Sequence, residues 1–148
     1  MPKFNSLKAA LEYIDKAKAD SMKGLGKKIE DIMKEEIQEQ VYDSYKPVDY
    51  NRTGQFIESV KTTHTSKDRV EVSWRDNGDW YSIIKRYKGE QPDHMYVIHG
   101  HEMGKVWGVG GYRPKTNLVE ESTRRVEEEI PDELVRFLRS KGIKAVKK

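Results

Sequence analysis

Residues 29–41 read IEDIMKEEIQEQV, a stretch in which apolar side chains recur mostly at intervals of three and four positions. That spacing places Ile29, Ile32 and Ile37 on one face of an α-helix, and the charged residues between them fall on the other faces. Such a narrow apolar stripe is typical of a helix that packs one face against the rest of a domain. The pattern therefore predicts a long helix in which Ile32 is buried.

The helical pattern extends over residues 6–45, a region without proline. Its earlier apolar positions are Leu7, Ala10, Leu11, Ile14 and Ala17. Gly24 and Gly26 interrupt the pattern, and a glycine inside a helix costs up to about 1 kcal/mol relative to alanine. We expect two helices in this region, or one helix with a weak joint at the glycines.

After this segment the pattern changes at Pro47, because the residue before a proline is disfavoured in helical conformation. Phe56, Ile57 and Val60 have the spacing of a short helix, with Asp49 or Thr53 available to cap it. The region from Lys61 to Trp74 alternates between apolar and polar residues, which predicts two strands joined by a turn near Lys67 and Asp68. Asn77-Gly78 favours a second tight turn, followed by a third strand at residues 80–84.

The C-terminal third begins with a long polar and glycine-rich loop at residues 88–113, with or without a short strand. Asn117 and Glu120 have the spacing of a capping box that opens a helix. Pro131 is expected to start a final set of helical turns, which end at Gly142. Residues 142–148 are expected to form a frayed tail.

These elements predict an α+β fold, because helices and antiparallel strands occupy separate parts of the chain. The expected order is a long N-terminal helical segment, a short helix, a small antiparallel sheet of three to four strands, and a C-terminal helix. With 148 residues and no internal repeat or linker, the chain is expected to form a single domain over 1–148.

Composition excludes several classes of protein. The chain has no cysteine, which rules out a disulfide framework and a thiol nucleophile and fits a reducing cytosol. No run approaches the roughly 20 apolar residues that cross a bilayer, so we expect a soluble protein without a membrane partner. The 28 basic and 25 acidic residues are mixed along the chain. A nucleic-acid-binding module is one alternative class, and this mixing argues against the basic face that it would need.

One histidine-rich stretch contains residue types that bind metals, namely His94, His99, His101 and Glu102. Their spacing matches neither the helical His-Glu-x-x-His arrangement nor a zinc finger. We therefore favour a polar loop at a subunit contact and predict no metal, no cofactor and no catalytic residues. A small metal-dependent nuclease or hydrolase that uses residues 94–102 is the alternative function.

Tyrosine and tryptophan are unusually frequent for so polar a chain. At Tyr45, Tyr50 and Trp107 two interpretations are equally good: packing inside the fold, or anchoring a protein interface, where these side chains combine a large contact area with a polar group.

Residues 45–60 read YKPVDYNRTGQFIESV. This stretch resembles the tyrosine, proline, Arg-Thr-Gly, apolar, Ser-Val signature of a tail-component family of long-tailed bacteriophages and prophages, encoded between the capsid and major tail genes. The family is similar in plan, with an N-terminal helix, this motif, an antiparallel sheet and a proline-containing turn into a C-terminal helix. Arg113-Pro114 stands where that last turn would be.

The resemblance implies a structural virion protein without enzymatic activity that acts in head–tail joining, at the neck, or in tail completion. Identical subunits would form a ring through a heterologous interface and contact neighbouring head and tail proteins, with DNA only as passing cargo. The protein would be assembled in the host cytoplasm and located in the virion. Candidate interface residues are Tyr45, Pro47, Tyr50, Arg52, Thr53, Gly54 and Trp107.

Overall fold

The computed structural model describes residues 2–44, 54–74 and 115–147. Helix α1 (Leu7–Ile37) continues directly into a π-helical segment (Gln38–Asp43), and a short helix α2 (Gln55–Glu58) follows. Strands β1 (Val60–Thr65) and β2 (Val70–Trp74) form a two-stranded antiparallel sheet, and helix α3 (Leu118–Ser140) closes the described chain. The predicted α+β fold is confirmed. The third strand predicted at residues 80–84 and the loop at 88–113 lie outside the described residues.

Within the described ranges, no helix is long and apolar enough to cross a membrane. The chain divides into two compact units. The first comprises Met1–Asp31, Thr62–Val72 and Thr123–Lys148, and the second comprises Ile32–Lys61 and Ser73–Ser122. The single domain over 1–148 stays a prediction.

Helix α1 begins at a side-chain cap. The Ser6 hydroxyl oxygen accepts a hydrogen bond from the backbone N–H of Ala9 at 3.1 Å, which satisfies one of the free N–H groups of the first turn. From there one helix runs without a break through Gly24 and Gly26, so the first of the two alternatives, two separate helices, is wrong. Neighbouring elements approach the backbone closely at these glycines, and such packing outweighs their low helix propensity.

The two glycines make room for different neighbours in the first unit. A β carbon at Gly24 would lie 2.7 Å from Cε2 of Phe137, which belongs to α3. A β carbon at Gly26 would lie 3.0 Å from both Oγ1 of Thr62 and Cγ2 of Val70, which belong to the two strands. Glycine therefore allows α3 and the hairpin to pack against α1.

Hydrogen bonds fix the hairpin within this unit. Oε1 of Glu30 accepts bonds from both the backbone N–H and the hydroxyl of Thr62, at 2.6 and 2.7 Å. At the turn, the backbone N–H of Ser66 donates to the carbonyl of Arg69 at 2.7 Å. The turn predicted near Lys67 and Asp68 is thereby confirmed, and a carboxylate on α1 satisfies a backbone N–H of β1.

The carboxylate of Glu129 on α3 forms ion pairs with two basic side chains of the first unit. Nζ of Lys28 lies 2.7 Å from Oε2 of Glu129, and Nε of Arg125 lies 3.0 Å from its Oε1. The hydrogen bond from Lys28 holds the pKa of Glu129 below its ordinary value, and Arg125 acts in the same direction against the opposing effect of burial.

The lowered pKa of Glu129 predicts a pH-dependent part of stability. A carboxylate with a lowered pKa in the folded state stabilises the fold above its ordinary pKa, and this contribution is lost as the pH falls through the lowered value. We expect Glu129→Gln to flatten the acid side of the stability profile, measured by urea unfolding at several pH values. Glu128→Gln makes the same change at an exposed position next to it and serves as the control. Equal profiles for wild type and Glu129→Gln would contradict the prediction.

The core of the second unit contains most of the apolar stripe of residues 29–41. Ile32 has no exposed surface, and Met33, Ile37 and Val41 are buried as well. The stripe prediction is confirmed for these positions. The remaining buried apolar side chains of this unit, within the described residues, come from α2, β1 and α3: Phe56, Val60 and Leu118.

Helix α3 is a single helix that includes Pro131 in its interior. The expectation that Pro131 starts a separate set of turns is wrong. A proline removes one backbone hydrogen bond, and helical turns on both sides of it are retained here. At the other end, Gly142 has a φ of 76°, and the N–H groups of Gly142 and Ile143 donate to the carbonyls of Arg139 and Leu138 at 2.9 and 3.0 Å. This is a Schellman motif, and it confirms the predicted stop at Gly142.

The described part of the tail after Gly142 makes contacts of its own. Nε of Arg139 donates to the carbonyl of Ala145 at 3.0 Å, and Nζ of Lys147 lies 3.2 Å from Oδ1 of Asp132. These bonds connect the segment predicted to fray with α3.

Candidate functional site

Most of the predicted interface lies outside the described residues, namely Tyr45, Pro47, Tyr50, Arg52, Thr53 and Trp107. The same holds for the histidine-rich stretch at residues 94–102. In the described part of the chain, no group of three or more histidine, cysteine, aspartate or glutamate side chains is placed to hold a metal ion. Residues 54–60 of the motif and the segment 38–44 that precedes it are described, and they define the candidate site.

The C-terminal half of the motif belongs to the core of the second unit. Gly54 has a φ of 76°, a conformation that favours glycine, and its carbonyl accepts the backbone N–H of Glu58 at 3.2 Å. Phe56, Ser59 and Val60 are buried, and the Ser59 hydroxyl donates to the carbonyl of Phe56 at 2.7 Å. Glycine, phenylalanine, serine and valine of the motif therefore have structural roles at the start of α2 and β1.

The segment before the motif is the π-helical extension of α1. Its wider turn places Gln38 within reach of Asp43, five residues later, and Nε2 of Gln38 donates to Oδ1 of Asp43 at 2.6 Å. The Ser44 hydroxyl donates to the carbonyl of Gln40 at 2.5 Å. Departures from α-helical geometry of this kind are frequent at functional positions. Ser44 and Gly54, the residues on either side of 45–53, are thus both hydrogen-bonded to a helical segment.

Gln40 connects this segment to the start of α3. Its Nε2 donates to Oε2 of the buried Glu36 at 2.6 Å, and its Oε1 accepts the backbone N–H of Asn117 at 2.7 Å. In a capping box the Glu120 side chain would accept this N–H, whereas Gln40 accepts it in the structure. The role of Gln40 was missed, because nothing in the polar run of residues 38–40 distinguishes it from its neighbours.

The two hydrogen bonds of Gln40 predict a measurable contribution to stability. We expect Gln40→Ala to lower the free energy of unfolding by about 1–3 kcal/mol, because it removes a partner from a buried carboxylate and from a backbone N–H. Gln38→Ala is the matched control, since both Gln38 and its partner Asp43 are exposed. We expect that control to stay within about 0.5 kcal/mol of wild type in chemical unfolding. Similar losses in both variants would show that Gln40 does not connect the two elements energetically.

A comparison with protein families shows to which family nearly the whole chain is related. A family model named YomN matches residues 3–148. The chain belongs to the YomN family. YomN is a family of Bacillus phage and prophage type, so the chain is a phage-associated protein. No curated protein and no solved structure matches the chain. The YomN match includes residues 45–60, the stretch that carries the resemblance to tail components.

Proposed function

We propose that this YomN protein is a structural subunit of the head–tail junction of a long-tailed phage, acting as a tail-completion or connector protein. The observation that carries the proposal is the placement of the motif. Phe56, Ser59 and Val60 of its C-terminal half are buried in the second unit, and the residues that flank 45–53, Ser44 and Gly54, are each hydrogen-bonded to a helical segment. Membership of a phage-type family supports it. The proposal assigns no catalytic residue, metal or cofactor.

The proposal assigns the two halves of the motif to different tasks. Phe56, Ser59 and Val60 are buried and stabilise the fold. Tyr45, Tyr50 and Arg52 precede them and are of the residue types that anchor protein interfaces, where a few side chains usually dominate the binding energy. A ring of identical subunits needs a heterologous interface, in which these anchors meet a different surface of the next copy.

The test is complementation of a phage or prophage that lacks the gene. We expect Tyr50→Ala and Arg52→Ala proteins to fold, and to leave heads and tails unjoined or tails defective in electron micrographs. Lys61→Ala, which changes an exposed residue of β1, is the control and should restore normal particles. Thermal unfolding of each purified variant separates loss of contact from loss of folding.

Gly54→Ala provides a contrasting variant, since a side chain at a φ of 76° strains the backbone. We expect it to lower stability by about 1 kcal/mol, unlike the Tyr50 and Arg52 variants. Normal particles from both Tyr50→Ala and Arg52→Ala would reject the assigned interface. Normal particles from a complete deletion of the gene would reject the function itself.

A further inference from the structure

The first turns of α1 present an apolar stripe to solvent. Leu7, Leu11 and Ile14 are 77%, 54% and 39% exposed. Their spacing of four and three residues places them on one face of the helix, and we call these three residues the α1 stripe. Exposed apolar residues that occur singly are ordinary, whereas a contiguous row of them is typical of a protein contact surface.

Contacts on other sides of the helix hold this region in place. The Tyr13 hydroxyl donates to the carbonyl of Lys141, and the Tyr13 ring packs against Phe4 with 5.2 Å between ring centroids. At 3.6 residues per turn, Tyr13 lies about 120° around the helix from the middle of the α1 stripe. The Ser6 cap orders the first turn. The stripe is therefore displayed on a helix that the first unit already holds, which lowers the entropic cost of binding a partner.

Charges beside the stripe indicate which partner fits. Lys8 and Asp15 lie on the same flank, seven residues apart, with opposite signs. Their intramolecular ion pairs, with Glu12 at 3.9 Å and Lys67 at 3.7 Å, are exposed, and such surface pairs contribute little. Both charges are therefore free to exchange partners at small cost.

We propose that the α1 stripe binds the same stripe of a second copy of this chain, with the two helices antiparallel around a two-fold axis. Leu11 then meets Leu11 of the second copy, and Leu7 meets Ile14. In this register Lys8 of each copy lies opposite Asp15 of the other. A parallel pair would instead place this flank against the opposite flank, which carries Ala10 and the buried Ala17 and offers no charge.

This contact is separate from the proposed head–tail role. A two-fold interface closes on itself and produces a dimer, whereas a ring requires a heterologous contact. Three apolar side chains per copy form a patch well below the roughly 800 Å² per partner of a standard interface, so the dimer is weak and concentration-dependent.

Sedimentation velocity of the full-length protein over a wide concentration range tests the proposal. We expect a monomer–dimer equilibrium in the wild type, and Leu11→Lys should weaken dimerisation by about tenfold or more. Val146→Lys is the matched control, because it changes an apolar side chain that is 74% exposed elsewhere on the surface. A wild type that stays monomeric, or association that Leu11→Lys leaves unchanged, overturns the proposal.

A charge exchange tests the antiparallel register. Lys8→Asp and Asp15→Lys alone should each weaken the dimer, since each places like charges opposite one another. The double variant should restore association, because every pair between the two copies is then opposite in sign again. Failure of the double variant to recover overturns the antiparallel arrangement. The Tyr50 and Arg52 variants leave every residue of the α1 stripe unchanged, so failure of the dimer and failure of the proposed function are distinguishable.

Discussion

Replacing Ile32 with aspartate will lower the free energy of unfolding by roughly 4 kcal/mol or more, because a charge is placed in the core and well-packed apolar contacts are lost. Ile32 has no exposed surface, and it lies on α1 within the second unit. Urea unfolding followed by circular dichroism measures the effect. An unchanged unfolding midpoint would show that this face of α1 is not the core.

Two further variants keep the Ile32 test informative if the aspartate variant does not fold at all. Ile32→Val removes a single methylene group and should cost about 0.5–1.5 kcal/mol. Leu7→Asp makes an apolar-to-aspartate change on the same helix at a position that is 77% exposed. We expect Leu7→Asp to stay within about 0.5 kcal/mol of wild type, since an acidic residue in the first turn interacts favourably with the helix dipole. Unfolding should be measured at low protein concentration, where self-association does not contribute to the free energy of unfolding.

Replacing Gly24 with alanine is expected to destabilise the protein by about 1–3 kcal/mol, although alanine has the higher helix propensity. At an exposed position of a helix, replacing glycine with alanine would instead stabilise the protein by up to about 1 kcal/mol. Here the new methyl group would meet the Phe137 ring at distances below normal contact, and the ring or the helix must move. Thermal unfolding of the purified variant shows whether its stability rises or falls. A stabilised variant would contradict the close packing of Phe137 against Gly24.

The partner of Gly24 can be identified by a double-mutant cycle. Phe137→Leu shortens the side chain opposite Gly24 and should reduce the cost of Gly24→Ala. Gly26→Ala is the matched control, because a β carbon there would meet the ends of the Thr62 and Val70 side chains at 3.0 Å. We expect Gly26→Ala to cost less, and Phe137→Leu to leave that cost unchanged. Additive effects of Gly24→Ala and Phe137→Leu would mean that the two residues do not interact.

The candidate site was only partly predictable. The positive φ of Gly54 agrees with a glycine at the entry to a short helix, and Phe56 is buried as the apolar helical pattern suggests. The assignment of Val60 to the same helix is wrong, because α2 ends at Glu58 and Val60 begins strand β1. Gln40 was not predictable, because its amide bonds with Asn117, which lies 77 positions further along the chain. Neither composition nor periodicity contains information about a bond of that kind.

The sequence by itself determined the features that depend on neighbours along the chain. Hydrophobic periodicity identified the buried face at Ile32 and Ile37, and local backbone requirements identified the turn after Ser66 and the helix stop at Gly142. These features follow from interactions among residues a few positions apart. Their energies are present in any context in which the segment folds.

Only the tertiary structure decided whether α1 is continuous and which of its apolar residues are covered. Helix propensity predicts a weak point at Gly24, but the approach of Phe137 makes that glycine part of a packed contact. Leu11 and Ile32 follow the same helical pattern, yet Leu11 is exposed and Ile32 is buried. Periodicity shows which residues share a face, whereas burial depends on which distant segments pack against that face. That packing is set by the whole chain.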